Sequence, residues 1–198
     1  MTAPLALDPR TTTFLFMDYQ NGVVPLLGDA AGAVIARASS VLHAAREAGA
    51  RVVFVRVAFR PGYPELSDEG PMAARIKGTG MLLVDSPEAQ IVGAMAPRDH
   101  EPLVTKHRVG PFGGTDLEPI LRASAADTLV LLGISTSGVV LSTVRHAADA
   151  DYRLVVVEDA CADTDAEVHR VLMEKVFPRQ ATVMRAEAVV AALRPSAA

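Results

Sequence analysis

Three short segments hold the side chains best suited to chemistry: Asp18 to Asn21, Lys106 to Phe112, and Gly133 to Thr143. Asp18 directly follows the apolar run TTTFLFM. A carboxylate placed there, if partly buried, has a raised pKa suited to proton transfer. The same residue type equally caps a turn. Lys106, set against Asp18, would hold it ionised or steady a developing negative charge; taken alone it reads as a solvated lysine in a basic loop. The segment GISTSGVVLST is built from small residues that let a ligand approach the backbone. Amides opening a helix there would form an anion or oxyanion site, with Ser137 as an ordinary N-cap.

Apolar runs alternating with helical patterns must position these residues. Strands are expected over Thr12–Met17, Arg51–Val57, Leu103–Thr105, Thr128–Leu132, Arg153–Val157 and Ala181–Met184. Helices are expected over Ala33–Ala48, Glu88–Gly93, Asp116–Ala123, Gly138–Ala150, Asp165–Phe177 and Ala186–Leu193, and Ala58 to Pro87 is otherwise irregular. Strands apolar on both faces and separated by helices imply a parallel sheet covered on both sides, with right-handed crossovers. The expected fold is one α/β domain over residues 1–198, a three-layer α/β/α arrangement with a mostly parallel, about six-stranded sheet. Ligands of such sheets bind beyond the carboxyl ends of the strands, where all three segments fall.

Composition narrows the functions. The net charge is −4, and the basic residues are scattered, so no nucleic-acid partner is expected. No apolar run approaches the roughly 20 residues that span a bilayer, and Met1 to Arg10 lacks a signal-peptide pattern, so a cytoplasmic protein with no membrane partner is expected. The single cysteine, Cys161, excludes an intrachain disulfide framework. The loop Val109 to Gly114 is glycine-rich but matches neither the dinucleotide nor the P-loop pattern, so no cofactor is expected.

Together, FLFMDYQNG (14–22), TKHRVGPFGGTDL (105–117) and GISTSGVVLSTVRHAADADYRLVVVEDACAD (133–163) resemble the isochorismatase-like superfamily, over nearly the whole chain. That group includes isochorismatases, nicotinamidases and N-carbamoylsarcosine amidohydrolases. The resemblance implies a catalytic acid/base at Asp18 with Lys106 as its partner, and a pocket wall including Gln20 and Phe112. It also implies a cis peptide between Ile134 and Ser135, and substrate contacts at Ile134, Ser135, Gly138 and Val139. The amidase branch carries its nucleophilic cysteine six residues after the glycine ending the fourth strand, where this chain has Val139. Isochorismatases resemble the chain in lacking that cysteine and cleave a vinyl ether. Nicotinamidase-type members hold a metal ion with histidines after the second strand; here no histidine lies between His43 and His100, so no metal is expected. A dimer or tetramer is what the resemblance implies for assembly.

Two readings follow: a cofactor-independent hydrolase of a small molecule working through Asp18 and Lys106, with vinyl-ether cleavage as its concrete form, or a non-catalytic binding or subunit-interaction member of the same fold. Cys161 reads as a small buried residue, and Ser135 and Ser137 lack an evident base. Arg145 is expected in a structural salt bridge, Glu158 and Asp159 as turn caps, and His107 is the histidine nearest the chemistry. Residues Ala58 to Ala96 are expected to carry substrate specificity.

Overall fold

The computed structural model describes residues 6–193; the ends of the expected domain, 1–5 and 194–198, lie outside them. The apolar runs form β1 (Thr12–Met17), β2 (Arg51–Val57), β3 (Leu103–Lys106), β4 (Thr128–Gly133), β5 (Arg153–Val157) and β6 (Thr182–Met184). All residues of β1 and β4 are buried, as the central strands of a sheet covered on both faces must be. The six strands lie in the order β3-β2-β1-β4-β5-β6, and every pairing is parallel. The strand order reverses between β1 and β4, which opens a crevice at their carboxyl ends.

The pleat sends alternate side chains to opposite layers. Phe14 and Phe16 join the cluster containing Val34, Ala38 and Leu42 of α1 (Ala31–Glu47) and Val189 of α6 (Ala186–Ala192). Leu15 and Met17 join Leu117 and Leu121 of α3 (Leu117–Ala123) and Val144 of α4 (Leu141–Asp149) on the other face. Each fully buried Leu, Phe or Met side chain among them stabilises the fold by about 1.5–3 kcal/mol.

Several expectations need correction. The irregular segment contains α2 (Pro71–Thr79), which has no buried residue and therefore leaves no apolar stripe in the sequence. The helix expected at Glu88–Gly93 is two short turns, Pro87–Ala89 and Gly93–Met95, around an extended stretch in which Ile91 pairs with Gln20. The helix expected from Gly138 begins as a π-turn, Thr136–Val140, before α4. The one expected over Asp165–Phe177 is α5 (Ala166–Val171), a π-turn at Leu172–Val176 and a tight turn at Phe177–Arg179, which holds Pro178. Against the expectation that no apolar stretch reaches membrane-crossing size, the Val24–Ala30 turn and α1 together, Val24–Glu47, do so by length and composition. Gly28, at φ 54° and ψ −129°, interrupts that stretch, and α1 packs on the sheet.

Candidate active site

The carboxyl end of β1 places Asp18 in the left-handed region, φ 60°, which is uncommon for a residue with a side chain. Its amide donates to Val55 O of β2 at 2.9 Å, and its carbonyl accepts from Gln20 N at 2.8 Å. The turn is further held by Gln20, which is fully buried. The Gln20 Nε2 amide donates to Val57 O and Ala89 O at 2.8 and 3.0 Å, while its Oε1 accepts from Val57 N at 2.8 Å. Gln20 therefore clamps the Asp18 turn to the end of β2 and is not among the residues lining the cavity, contrary to the expected pocket-wall role.

Lys106 ends β3 and reaches across β2 to Asp18, with Nζ 2.9 Å from Oδ2 and both side chains buried. Nζ also donates to Arg108 O at 3.0 Å. Asp18 Oδ1 is buried with no hydrogen-bond partner among the described residues. Burial pushes the Asp18 carboxyl above its usual range; the Lys106 ammonium and the nearby Val57 amide oppose that rise without cancelling it.

After β4, the chain turns through a cis peptide between Ile134 and Ser135. A Cβ at Gly133 would stand 2.9 Å from the backbone Met17 O, so glycine is required there, while one at Gly138 would stand 2.7 Å from Ser135 Oγ and would push that hydroxyl aside. Thr136 N and Ser137 N are tied to Ala162 O at 2.8 Å and to Asp163 Oδ2 at 2.7 Å. Thus Asp163, not the Ser137 side chain, satisfies the opening amide.

Asp18, Lys106, Ile134, Ser135, Gly138 and Val139 all line one cavity of about 690 Å³. Phe112 does not: it stacks on His146, centroids 4.1 Å apart, beside a separate hollow of about 350 Å³ under α3 and α4. His107 lines the large cavity, with Nδ1 2.6 Å from Ala58 O. Cys161 is buried and outside the cavity lining, and burial pushes its thiol up to about 12. The salt bridge expected of Arg145 is a hydrogen bond to the Gln180 amide instead. The turn Glu158–Ala160 has no side-chain cap, against the expectation for Glu158 and Asp159; Asp159 instead accepts from Ala186 N at the start of α6 at 2.7 Å and pairs with Arg37 and Arg185. Among the described residues no three His, Cys, Asp or Glu side chains are grouped to hold a metal ion.

The sequence assigned specificity to Ala58–Ala96 as a whole but did not single out the α2 residues that line the cavity there, Met72, Ala73, Arg75, Ile76 and Thr79. The available signal was Gly70-Pro71, a helix start with proline in the first turn, and the left-handed Gly80 that closes it.

The chain is thus an α/β protein with a doubly wound parallel sheet, and a carboxylate paired with an ammonium lines a cavity at the strands' carboxyl ends. The chain belongs to the isochorismatase family, whose domain model matches residues 12–188. It is 34% identical over 194 residues to the uncharacterized isochorismatase family protein YecD of Escherichia coli O157:H7, covering 96% of this chain and all of that one. It is 33% identical over 178 residues to the ureidoacrylate amidohydrolase RutB of Rhizobium rhizogenes, covering 79% and 72% of the two chains. An isochorismatase family protein from Burkholderia thailandensis superposes with a TM-score of 0.83 at 30% identity, covering 96% of this chain and 99% of that one.

Proposed function

We propose that this chain is a hydrolase that splits a small molecule at Asp18 by acid–base chemistry, with no covalent thiol step. The observation that carries the reading is the Asp18 carboxyl, raised by burial and left with one unpartnered oxygen at a cavity wall. Val139 stands on the same wall, where the resemblance puts a cysteine, and it can neither attack a carbonyl nor leave. Cys161 supplies no substitute, since a buried thiol held near 12 is not a nucleophile at neutral pH.

Vinyl-ether cleavage fits these groups. Protonated Asp18 gives its proton to the enol-ether carbon, and the double-bond electrons form the new C–H bond. Water adds to the resulting oxocarbenium ion and returns a proton to the Asp18 carboxylate. The hemiketal then collapses to a carbonyl and an alcohol. Lys106 steadies the carboxylate between these steps. The name of the ureidoacrylate amidohydrolase brings in amide hydrolysis as a second reaction, with Asp18 then drawing a proton from the attacking water.

The test compares wild type, Asp18→Asn and Cys161→Ala on isochorismate and on ureidoacrylate, following both substrate and product by chromatography. Turnover that is lost in Asp18→Asn and kept in Cys161→Ala supports the reading. Unchanged turnover in Asp18→Asn, or loss in a folded Cys161→Ala, refutes it.

A further inference from the structure

The cavity is polar at its floor and apolar over most of its wall. Asp18 and Lys106 sit at the base, while Leu26, Phe59, Met72, Ile76, Leu82 and Val139 contribute to the sides. Among the described residues five large hydrophobic side chains are exposed, and three of them, Leu26 at 57%, Met72 at 56% and Met81 at 37%, line this one cavity. Leaving such side chains in water is unfavourable in proportion to their area, so their gathering at one mouth marks a surface that an apolar body covers. The core does not require Met72 or Leu26 there, because neither α2 nor the Val24–Ala30 turn buries any of its residues. Of the cations in the lining, Lys106 is paired with Asp18, Arg108 donates to the Glu65 and His107 carbonyls at 2.8 Å, and Arg75 of α2 is exposed at the outer end, apart from the buried Asp18.

We infer that the substrate is a small molecule with a non-polar body, an alkyl, alicyclic or aryl group, joined to a compact polar head that reaches Asp18. Met72 and Ile76 of α2 set the preference for that body. This rests on the reading of the cavity as the reaction site, and it names what the site accepts. The head hydrogen-bonds Asp18 Oδ1, and the body covers Leu26, Met72, Ile76 and Met81. A substrate charged at both ends, as isochorismate is with its two carboxylates, leaves these side chains against water or buries its own charge beside them. A vinyl ether with one carboxylate and an apolar body should be preferred to it.

Binding of butanol, hexanol and octanol, with hexanediol as the control polar at both ends, tests this without any turnover. Calorimetry gives the affinities, and protein labelled with 13C at its methionine methyls shows where the probes sit. Affinity should rise roughly three- to fourfold per added methylene. Hexanediol should bind at least tenfold more weakly than hexanol. The Met72 and Met81 methyl signals should move, and Ile76→Gln should weaken octanol at least fivefold while the rest of the spectrum is kept.

A flat chain-length series, hexanediol equal to hexanol, no binding by any probe, or stationary Met72 and Met81 signals would each overturn the inference. So would Met72 and Met81 signals that depend on protein concentration without probe, because a second copy would then be the apolar cover. Asp18→Asn should keep the chain-length trend whatever it does to turnover. Failure of the hydrolase reading and failure of this one are therefore separable.

Discussion

Two carboxylate–cation pairs, one buried and one partly buried, behave in opposite ways. Glu101 meets the Arg46 guanidinium at two points, Nε to Oε1 at 2.7 Å and Nη2 to Oε2 at 2.6 Å, and Oε2 also accepts from Arg98 N at 2.8 Å. Burial alone would raise its carboxyl, yet the Arg46 and Arg98 contacts together hold it below the usual range. Asp18 has one ammonium at 2.9 Å and leaves Oδ1 without a partner, and its carboxyl rises. The difference is depth and saturation together, since Asp18 is enclosed and Glu101 only partly so. A carboxylate whose lone pairs are occupied contributes to holding α1 against the Ala96–Glu101 segment, while one left half-occupied beside a cavity can still exchange a proton.

Substitutions at the two pairs should separate these roles. Asp18→Asn should lower kcat by about 10²–10⁴-fold, the usual contribution of a positioned general acid, while circular dichroism shows an intact fold. Lys106→Met leaves Asp18 buried without its cation, and should cost about 3–5 kcal/mol of stability in denaturant titrations. The same variant should shift the pH profile of vinyl-ether turnover. Activity in that reaction needs the protonated acid, so it falls as pH rises through the folded pKa of Asp18. Removing the ammonium that opposes the rise moves that falling limb to higher pH.

Glu101→Gln should cost about 1.5–3 kcal/mol at neutral pH, with little effect on turnover. The Glu101 pKa is depressed in the folded chain, so its stabilisation is present above the unfolded value of 4.5 and is lost as pH falls toward the folded one. The gap between wild type and Glu101→Gln should therefore narrow in acid, as denaturation at two pH values would show. Met72→Gln should change stability by no more than about 0.5 kcal/mol, because its side chain is 56% exposed. A large loss in that variant would mean α2 is part of the core after all.

The strand ends were legible because burial writes them plainly. TTTFLFM and TLVLL are apolar at every position, and in a doubly wound sheet the residues following such runs face the crevice. That reasoning located Asp18, Lys106 and the turn after β4, and of these Asp18, Lys106, Ile134, Ser135, Gly138 and Val139 line one cavity. Gln20 and Phe112 follow the same strands but point elsewhere, and the direction of a side chain in a turn depends on dihedrals that spacing does not carry. Gln20 answers buried backbone groups at Val57 and Ala89, partners distant in sequence. The two π-turns were invisible for a related reason: each inserts one residue into a helical register without altering its composition. The helix α2 was missed because a helix with no buried residue has no hydrophobic period to read.

That independence from the core has a consequence for how such a protein diversifies. α2 is bounded by Gly70 at φ 114° and Gly80 at φ 65°, and no side chain between them is buried. A segment so delimited can exchange its whole sequence while the sheet beneath keeps its packing. Selection can then rewrite the cavity wall at nearly constant stability, while Asp18 and Lys106 are inherited unchanged.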